Sequence, residues 1–304
     1  MTPNKRDLKA YSRFDGTGRI VPGSTVLRRN KPKNGNWKEV QAYECCVPIT
    51  SCIEPLIIQA RPSEGFYEFG FRVNTINSVT GTIDWGDGTT EIFDLTIGSG
   101  TTYFGHNYLT ADYIPRTVKV FFDSVAGFDN LEIGDQSWKT LSISNISTVF
   151  AGSSIQQVDA DGSLIVSLDV SGLTSLQDLY ALECPNLAFL NVQGCTSLYD
   201  VDLNSDAFEA LDFSGCTALE ACYLYDNPNL VNIIIDGCPN LQYLYANVCA
   251  LSTSNVDYII TTLDNNGLIN GYLALSGGTN GVPSGAVAGN ILSLTGKGWN
   301  VSTN

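Results

Sequence analysis

The stretch "LNVQGCTSLYDVDLNSDAFEALDFSGCTALEACYLYDNPNL", residues 190–230, repeats one short pattern several times. A phrase of the form L-x-x-L-x-L-x-x-C/N begins about every 11 residues, and it most often closes on Cys or Asn. Every second copy has a glycine directly before its closing residue, at Gly172, Gly194, Gly215 and Gly237. The chain therefore contains a repeat whose full period is about 22 residues.

The copies of the repeat share three apolar positions and a closing Cys, Asn or Asp. They are Leu176–Cys184, Leu187–Cys195, Leu198–Asp206, Phe208–Cys216, Leu219–Asn227, Leu230–Cys238 and Leu241–Cys249, with a weaker copy at Leu168 and Val170. Because alternate side chains of a strand point to the same face, each L-x-L segment predicts a short strand with one buried face. Stacking the copies brings these faces into one continuous core.

The closing residues are predicted to point inward, where an Asn amide, or more weakly a thiol, bonds to backbone groups. The repeat cysteines are therefore interpreted as buried structural residues rather than as a metal or redox site, and no C-x-x-C pair in the repeat supports zinc. The total of nine Cys is odd, which argues against a disulfide framework. The repeat resembles the leucine-rich repeat family, with its unit of 20–29 residues, and this resemblance implies a solenoid.

Charge is unevenly distributed along the 304 residues. Residues 1–40 carry ten Lys and Arg against three Asp and Glu, a net charge of +7, whereas the whole chain carries −15. The remainder therefore carries −22, and residues 140–296 contain no Lys or Arg. A basic segment joined to an acidic body indicates an anchor for an acidic partner, either nucleic acid or an anionic protein surface. The alternative is an ordinary solvated surface.

Residues 55–137 are predicted to form short strands. The segment "GTIDWGDGTTEIFDL", residues 81–95, has strand residues on both sides of Asp87-Gly88, which is a strong hairpin signal. The turn W-G-D-G-T, with the later H-x-Y, resembles the PKD-type immunoglobulin-like domain. This resemblance implies a β-sandwich of about seven strands with Trp85 in its core.

Three polar residues of this region, Asp84, Asp87 and His106, allow two interpretations. They could form a metal cluster, but turn and core roles are preferred, because Asp-Gly is foremost a turn signal. His106 is the one histidine of the chain, and no sequence feature places it beside a thiolate. No Walker loop or Rossmann fingerprint occurs either, so the sequence predicts neither an enzyme nor a cofactor.

Residues 251–304 interrupt the repeat and are predicted to cap its end. In "STSNVDYIITTLDNNG", residues 252–267, Ser254 or Asn255 is expected to cap a helix that ends at Gly267. Leu273 and Leu275 restore an L-x-L strand, and a second helix and a final strand at Trp299 follow.

The N-terminal segment, residues 1–54, is basic and turn-rich. The segment "LKAYSRFDGTGRIVPGSTVLRRNKPKNGNWKEV", residues 8–40, resembles an N-terminal segment of virion proteins of Bacteroidota phages, including crAss-like ones. The ending "LTGKGWNV", residues 294–301, resembles the tails of repeat proteins of such phages. The resemblance implies docking on the particle, through residues identified here as Tyr11, Arg13, Arg19, Arg28, Arg29, Lys31, Lys33 and Trp37. Cys45, Cys46 and Cys52 are interpreted as buried thiols, since a fourth metal ligand is not found.

The outward strand positions in the copies without glycine form a candidate binding face. Its residues are Asp178, Tyr180, Asp200, Asp202, Tyr223, Tyr225, Tyr243 and Tyr245. Stacked Tyr and Asp without neighbouring Lys or Arg suit sugars, cationic groups or a protein partner. The alternative is an ordinary strand surface, because Tyr favours strands in any case.

The sequence therefore predicts a mainly β protein with four regions. They are a virion-anchoring segment (1–54), a PKD-like immunoglobulin-like β-sandwich (55–137), a leucine-rich-repeat solenoid (138–250) and a small α/β cap (251–304). The expected function is that of a phage virion structural protein, a capsid decoration or head fibre, made in the host cytoplasm without a signal peptide. The expected partners are other virion proteins and a host-surface glycan or protein, with a homo-oligomer left open and neither a membrane span nor direct nucleic-acid reading. A tail-fibre adhesin, a bacterial surface adhesin and a glycan depolymerase are the alternatives.

Overall fold

A computed structural model describes residues 9–13, 26–28, 37–40, 54–62, 68–95, 101–108, 114–125, 127–133 and 138–304. The described chain is mainly β, as predicted, and it divides into two compact units, Met1–Cys52 and Ile53–Asn304. In the first unit, strands β1 (Lys9–Arg13), β2 (Val26–Arg28) and β3 (Trp37–Val40) form an antiparallel sheet in the order β2-β1-β3. The sequence analysis did not predict these three strands.

The second unit begins with eight strands that belong to two sheets. They are β4 (Leu56–Pro62), β5 (Glu68–Thr75), β6 (Val79–Asp84), β7 (Thr90–Leu95), β8 (Thr102–Asn107), β9 (Arg116–Phe122), β10 (Phe128–Glu132) and β11 (Trp138–Ser144). One antiparallel sheet has the order β11-β4-β9-β6-β7, while β8, β5 and β10 lie at one end of a ten-stranded sheet. Strands β6 and β7 pair from Asp84–Thr90 outward, which confirms the predicted Asp-Gly hairpin. Trp85 is buried, also as predicted.

The repeat folds into short strands that alternate between two parallel ladders. After the short helix α1 (Ile146–Val149) come β12 (Gln157–Asp159), β13 (Ser167–Asp169), β14 (Asp178–Tyr180), β15 (Phe189–Asn191), β16 (Asp200–Asp202), β17 (Ala210–Asp212), β18 (Ala221–Tyr223), β19 (Asn232–Ile234) and β20 (Tyr243–Tyr245). Each even-numbered strand pairs with the next even-numbered strand, one full repeat further along the chain. The odd-numbered strands form two separate pairs, β13-β15 and β17-β19.

The apolar positions of the repeat fill the space between the ladders, as the L-x-L spacing predicted. The middle residues of the even-numbered strands are completely buried: Val158, Leu179, Val201, Cys222 and Leu244. They belong to one hydrophobic cluster that extends from Leu56 to Trp299. Burial of such side chains contributes roughly 1.5–3 kcal/mol each, so regular stacking is itself the main source of stability.

The closing residues point inward and bond to the backbone, which confirms the prediction made for them. The Asn227 side-chain amide donates to the carbonyls of Leu203 (2.8 Å) and Leu224 (2.9 Å). The Cys184 thiol donates to the Ala160 carbonyl at 3.1 Å, and Cys195, Cys238 and Cys249 make equivalent bonds of 3.1–3.2 Å. The six repeat cysteines are buried and free. Cys45, Cys46 and Cys52 lie outside the described residues.

The turn before each closing residue needs a left-handed backbone, whether or not glycine occupies it. Gly194 has φ 81° in one class of copies. In the other class the equivalent residues are Glu183, Ser205, Asp226 and Val248, with φ between 53° and 64°. The alternation of glycine therefore marks the two ladders and not two kinds of turn. Glycine is the residue that adopts this conformation without strain.

The strand region and the repeat share a sheet. Strand β10 pairs antiparallel with β5 and parallel with β12, so the ten-stranded sheet passes from one region into the other. Strand β11 follows the boundary predicted after residue 137, yet it pairs with β4, which precedes that boundary. The same hydrogen-bonded framework therefore holds the two predicted regions together.

The C-terminal segment extends the long sheet and packs two helices beside it. Its elements are α2 (Thr253–Asn266), β21 (Tyr272–Leu275), a 3-10 turn (Gly285–Val287), α3 (Ala288–Gly296) and β22 (Asn300–Thr303). Helix α2 ends at Gly267, as predicted, but the predicted cap was wrong: Ser252 is the N-cap, and its side chain accepts from the Asn255 N–H. Within the described ranges, no helix has the length and apolar character needed to cross a membrane.

Candidate functional site

The outward positions of β12, β14, β16, β18, β20 and β21 form two parallel columns, which we call the tyrosine–aspartate face. The first column is Gln157, Asp178, Asp200, Ala221, Tyr243 and Tyr272; the second is Asp159, Tyr180, Asp202, Tyr223, Tyr245 and Ala274. Neighbouring members of a column lie on adjacent strands, roughly 4.8 Å apart. Seven of the eight predicted face residues therefore lie in these two columns. Tyr225 is two residues beyond Tyr223, where its N–H donates to the Asn204 side chain.

Three tyrosines at one end of the face stack on one another. The rings of Tyr223 and Tyr245 lie 5.0 Å apart at 10°, and those of Tyr245 and Tyr272 lie 4.8 Å apart at 20°. Both faces of the Tyr245 ring are therefore covered. Tyr223 is the last tyrosine of this stack, and its partner in register on the other side is Asp202.

Tyr272 is a member of the face that sequence reasoning missed. It precedes Leu273 as Tyr243 precedes Leu244, so the L-x-L pattern of Leu273 and Leu275 contained the signal. Residues 251–304 interrupt the repeat, so this outward position does not follow from the repeat period. The structure also adds Asp159, one strand before Tyr180 in the second column.

The carboxylates of the face are crowded and partly desolvated. Burial raises the pKa of Asp202 to about 6; the Asn204 N–H opposes this shift, and the charge of Asp200 adds to it. Burial likewise raises the pKa of Asp159 to about 6 and the pKa values of Asp178 and Asp200. The Oδ1 atom of Asp200 is buried and has no hydrogen-bond partner. Since residues 140–296 contain no Lys or Arg, the repeat cannot neutralise these charges itself.

A small side chain interrupts the first column. Ala221 lies between Asp200 and Tyr243 in register, and its methyl group is the smallest side chain of that column. Ala221 is 7% exposed. Because Ala221 is buried, neighbouring side chains cover its methyl group, and the column has no long side chain of its own at this position.

The cluster around His106 has the geometry of a turn held against the core. The Asp87 carboxylate accepts from the Thr89 N–H at 2.9 Å and contacts His106 Nε2 at 2.8 Å. Burial acts to raise the pKa of Asp87, but bonds from Thr89 and His106 outweigh it, and the pKa falls to about 2. His106 stacks on Trp85 with ring centres 5.0 Å apart. In the described part of the chain, no group of three or more His, Cys, Asp or Glu could hold a metal ion.

The predicted docking residues lie in the first unit. Tyr11 and Arg13 are in β1, Arg28 is in β2 and Trp37 is in β3; in register, Tyr11 is opposite Val26 and Glu39, and Arg13 is opposite Trp37. The structure therefore places four of the predicted residues on one small sheet. Arg19, Arg29, Lys31 and Lys33 lie outside the described residues.

Comparison of the chain with protein-family models, with curated proteins and with solved structures gives no match. The sequence and the geometry of the tyrosine–aspartate face are therefore the basis for assigning a function.

Proposed function

We propose that this chain is a non-enzymatic structural protein of a phage virion, a capsid decoration or head fibre. In this proposal the N-terminal segment docks on the particle, and the tyrosine–aspartate face serves adhesion to a host-surface glycan or protein. The observation that carries the adhesive role is the register of the face, because side chains from six strands form two continuous columns. Aligned aromatic residues of this kind are the usual anchors of binding surfaces.

The proposal includes a specific architecture for the second unit. We assign β4–β11 to a PKD-like, immunoglobulin-like β-sandwich, supported by two antiparallel arrangements around the buried Trp85 and by the W-G-D-G-T turn. We assign the repeat to a leucine-rich-repeat solenoid, supported by inward closing residues and by the parallel pairing of Leu179 with Val201 and of Val201 with Cys222. Such an array offers a long flat surface, which suits binding better than it suits a closed reaction site.

A binding role is also supported by the condition of the reactive groups. Burial raises the pKa of the Cys184 thiol to about 12 and that of Cys195 to about 11, so these thiols stay protonated and poorly nucleophilic. His106 is engaged by Asp87 and lies against Trp85. A general base would need a reacting group within hydrogen-bond reach, and the described neighbours of His106 are turn and core residues.

The docking role is supported by charge and by the resemblance of residues 8–40 to phage virion proteins. The +7 charge of residues 1–40 suits an anionic protein surface on the particle. In the full chain, reversing Arg28, Arg29, Lys31 and Lys33 to Glu is expected to remove the protein from purified particles. A reversed chain that still copurifies with particles would contradict the docking role.

Electron microscopy of purified particles, labelled with an antibody to this chain, tests the location. Label on the head is the expected result, label on the tail would favour the tail-fibre alternative, and unlabelled particles would overturn the virion assignment. Incubation of the purified chain with host-surface glycans separates adhesion from hydrolysis. Intact glycans are expected whether or not they bind, whereas shortened glycans would favour a depolymerase.

A further inference from the structure

We infer that the tyrosine–aspartate face binds a segment of a partner protein that is rich in Lys and Arg. The inference rests on the proposed adhesive function and names the chemistry of its ligand. Three features carry it: the tyrosine stack that ends at Tyr223, the register that places Asp200 and Asp202 on the strand beside it, and the lack of Lys and Arg in residues 140–296.

The geometry around Ala221 suits a guanidinium or ammonium group. Asp200 and Ala221 are opposite each other in register, as are Asp202 and Tyr223, so both carboxylates belong to the strand next to Tyr223. Two residues along a strand span roughly 7 Å, and adjacent strands are roughly 4.8 Å apart. A planar cation placed beside this strand therefore lies within reach of both carboxylates and next to the Tyr223 side chain.

The electrostatics of the face favour a cationic partner. Burial raises the pKa values of Asp200 and Asp202; the charge of Asp178 adds to the shift of Asp200, and the charge of Asp200 adds to that of Asp202. Each carboxylate is therefore less stable as an anion than it would be in water, and a bound cation relieves that cost. The repeat supplies no such cation, because residues 140–296 lack Lys and Arg.

The arrangement of the tyrosines argues against a neutral sugar as the main ligand. Sugars bind aromatic residues through open ring faces, but Tyr223, Tyr245 and Tyr272 stack mainly against each other. Their edges and hydroxyl groups are what the surface presents. An extended polypeptide can contact these edges along several strands while its basic side chains meet the carboxylates. Tyr and Arg are both enriched at the energetic centres of protein–protein interfaces.

The test measures binding of a fluorescent basic peptide to the purified full-length chain. The probe is a short peptide with Arg and Lys separated by Gly and Ser, and the comparison ligands are the same peptide with Glu, a chitosan oligomer and its N-acetylated form. Anisotropy titrations at about 50 mM and about 300 mM salt give Kd and its salt dependence. We expect the basic peptide to bind, the Glu peptide not to bind, and the higher salt to weaken binding at least threefold.

Matched variants locate the site. The double variant Asp200→Asn with Asp202→Asn, and separately Tyr223→Ala, are each expected to weaken binding at least tenfold, in line with losses at interface centres. The control is Asp169→Asn with Asp212→Asn, which removes the same charge from exposed residues of β13 and β17 and keeps the side-chain acceptors for the Ser171 and Ser214 N–H groups. The control is expected to change Kd less than threefold, since distant charges are largely screened.

Several outcomes overturn the inference. They are equal losses in the control and the site variants, chitosan binding as tight as peptide binding, and no peptide binding by the wild-type chain. Sedimentation velocity tests one other ligand for the face, the basic N-terminal segment of a second copy of this chain. If the wild-type chain self-associates and the Asp200 and Asp202 variant does not, that segment is the ligand and the inference of a separate partner protein is wrong. Peptide binding by a chain absent from particles leaves the inference standing while the virion proposal fails, so the two failures are distinguishable.

Discussion

Replacing Asp206 by Asn is expected to stabilise the protein, because Asp206 occupies a closing position that requires a hydrogen-bond donor. The equivalent Asn227 accepts from the Asp206 N–H through its side-chain oxygen and donates to two carbonyls through its nitrogen. Asp206 is 5% exposed; its Oδ1 accepts from the Cys184 N–H at 2.8 Å, but its Oδ2 is buried without a partner. A carboxylate has no proton to donate there, whereas a carboxylic acid or an amide does.

The size of the effect follows from the pKa of this group. Burial raises the pKa of Asp206 from 3.8 to about 8; the Cys184 N–H opposes this shift, and repulsion from Asp161 and Asp202 adds to it. Because the folded pKa is the higher one, the stability that the protonated group provides is complete below about pH 4 and is lost as the pH rises toward 8. At pH 7, the ionisation of the unfolded chain lowers the free energy of unfolding by about 4 kcal/mol. Asp206→Asn does not titrate and removes this loss.

Denaturant unfolding and calorimetry at pH 4, 7 and 8 measure the prediction. At pH 4 we expect wild type and variant to differ by less than about 1 kcal/mol. At pH 7 the variant gains about 4 kcal/mol, which corresponds to a melting temperature higher by roughly 10 °C for a unit of this size. The control is Asp212→Asn at an exposed position, expected to change stability by less than about 0.5 kcal/mol.

The difference between wild type and variant isolates Asp206 from the other carboxylates. Burial raises the pKa values of Asp159, Asp161 and Asp202 as well, so both proteins lose stability as the pH rises. Only the gap between them reports on the closing position. A variant that is less stable than wild type at pH 8 would mean that the buried carboxylate is ionised and has a favourable partner, and the reasoning would fail.

Three further predictions concern other parts of the fold. Val248→Gly should raise the free energy of unfolding by about 1 kcal/mol in denaturant titrations, because Val248 has φ 59° and a β-branched residue is strained there; a loss of stability would contradict this. Thiol-reagent titration should leave the six described repeat cysteines unreacted in the native protein and modify them after denaturation, since all six are buried and their pKa values are raised; rapid native modification would contradict the packing. Tyr108→Phe should cost about 1–2 kcal/mol in the same titrations, because its hydroxyl donates to the buried Trp85 carbonyl at 2.8 Å; an unchanged midpoint would show that water replaces this bond.

The sequence predicted those features that depend on local spacing. The L-x-L periodicity identified buried strand residues such as Leu179 and Val201, and the closing positions identified Asn227 and Cys184 as inward hydrogen-bonding groups. These predictions succeeded because the same pattern of apolar and closing residues occurs independently in each copy of the repeat. The Asp-Gly turn between β6 and β7 succeeded for a similar local reason, since few residues tolerate its backbone conformation.

Features that depend on pairing between distant segments were not predictable in the same way. The pairing of β10 with β12 and of β11 with β4 joins regions that the sequence analysis had separated. The sequence of a strand does not identify the strand it pairs with, because its apolar pattern indicates which face is buried and not which strand lies beside it. The N-cap of α2 failed for another reason: Ser252, Ser254 and Asn255 all have suitable side chains, and only the backbone conformation distinguishes them.

The two ladders differ in a way that explains why the candidate face lies on only one of them. The step from Val201 to Leu211 is one residue shorter than the step from Leu179 to Leu190. At this point the odd-numbered ladder divides into β13-β15 and β17-β19, and Leu190 is only partly buried where Leu168, Leu211 and Ile233 are buried.

The hydrogen bonds of the closing residues show the same interruption. The Cys216 thiol lies 3.9 Å from the Val192 carbonyl, whereas Cys195 and Cys238 make the equivalent contact at 3.1 Å. The even-numbered ladder also contains a shorter repeat, because Val201 to Cys222 is one residue shorter than Leu179 to Val201. Its strands nevertheless stay paired in register. Columns of aligned side chains need unbroken register, because a slip of one residue sends every side chain to the opposite face. Continuous columns of side chains across six strands can therefore form on the even-numbered ladder and not on the odd-numbered one.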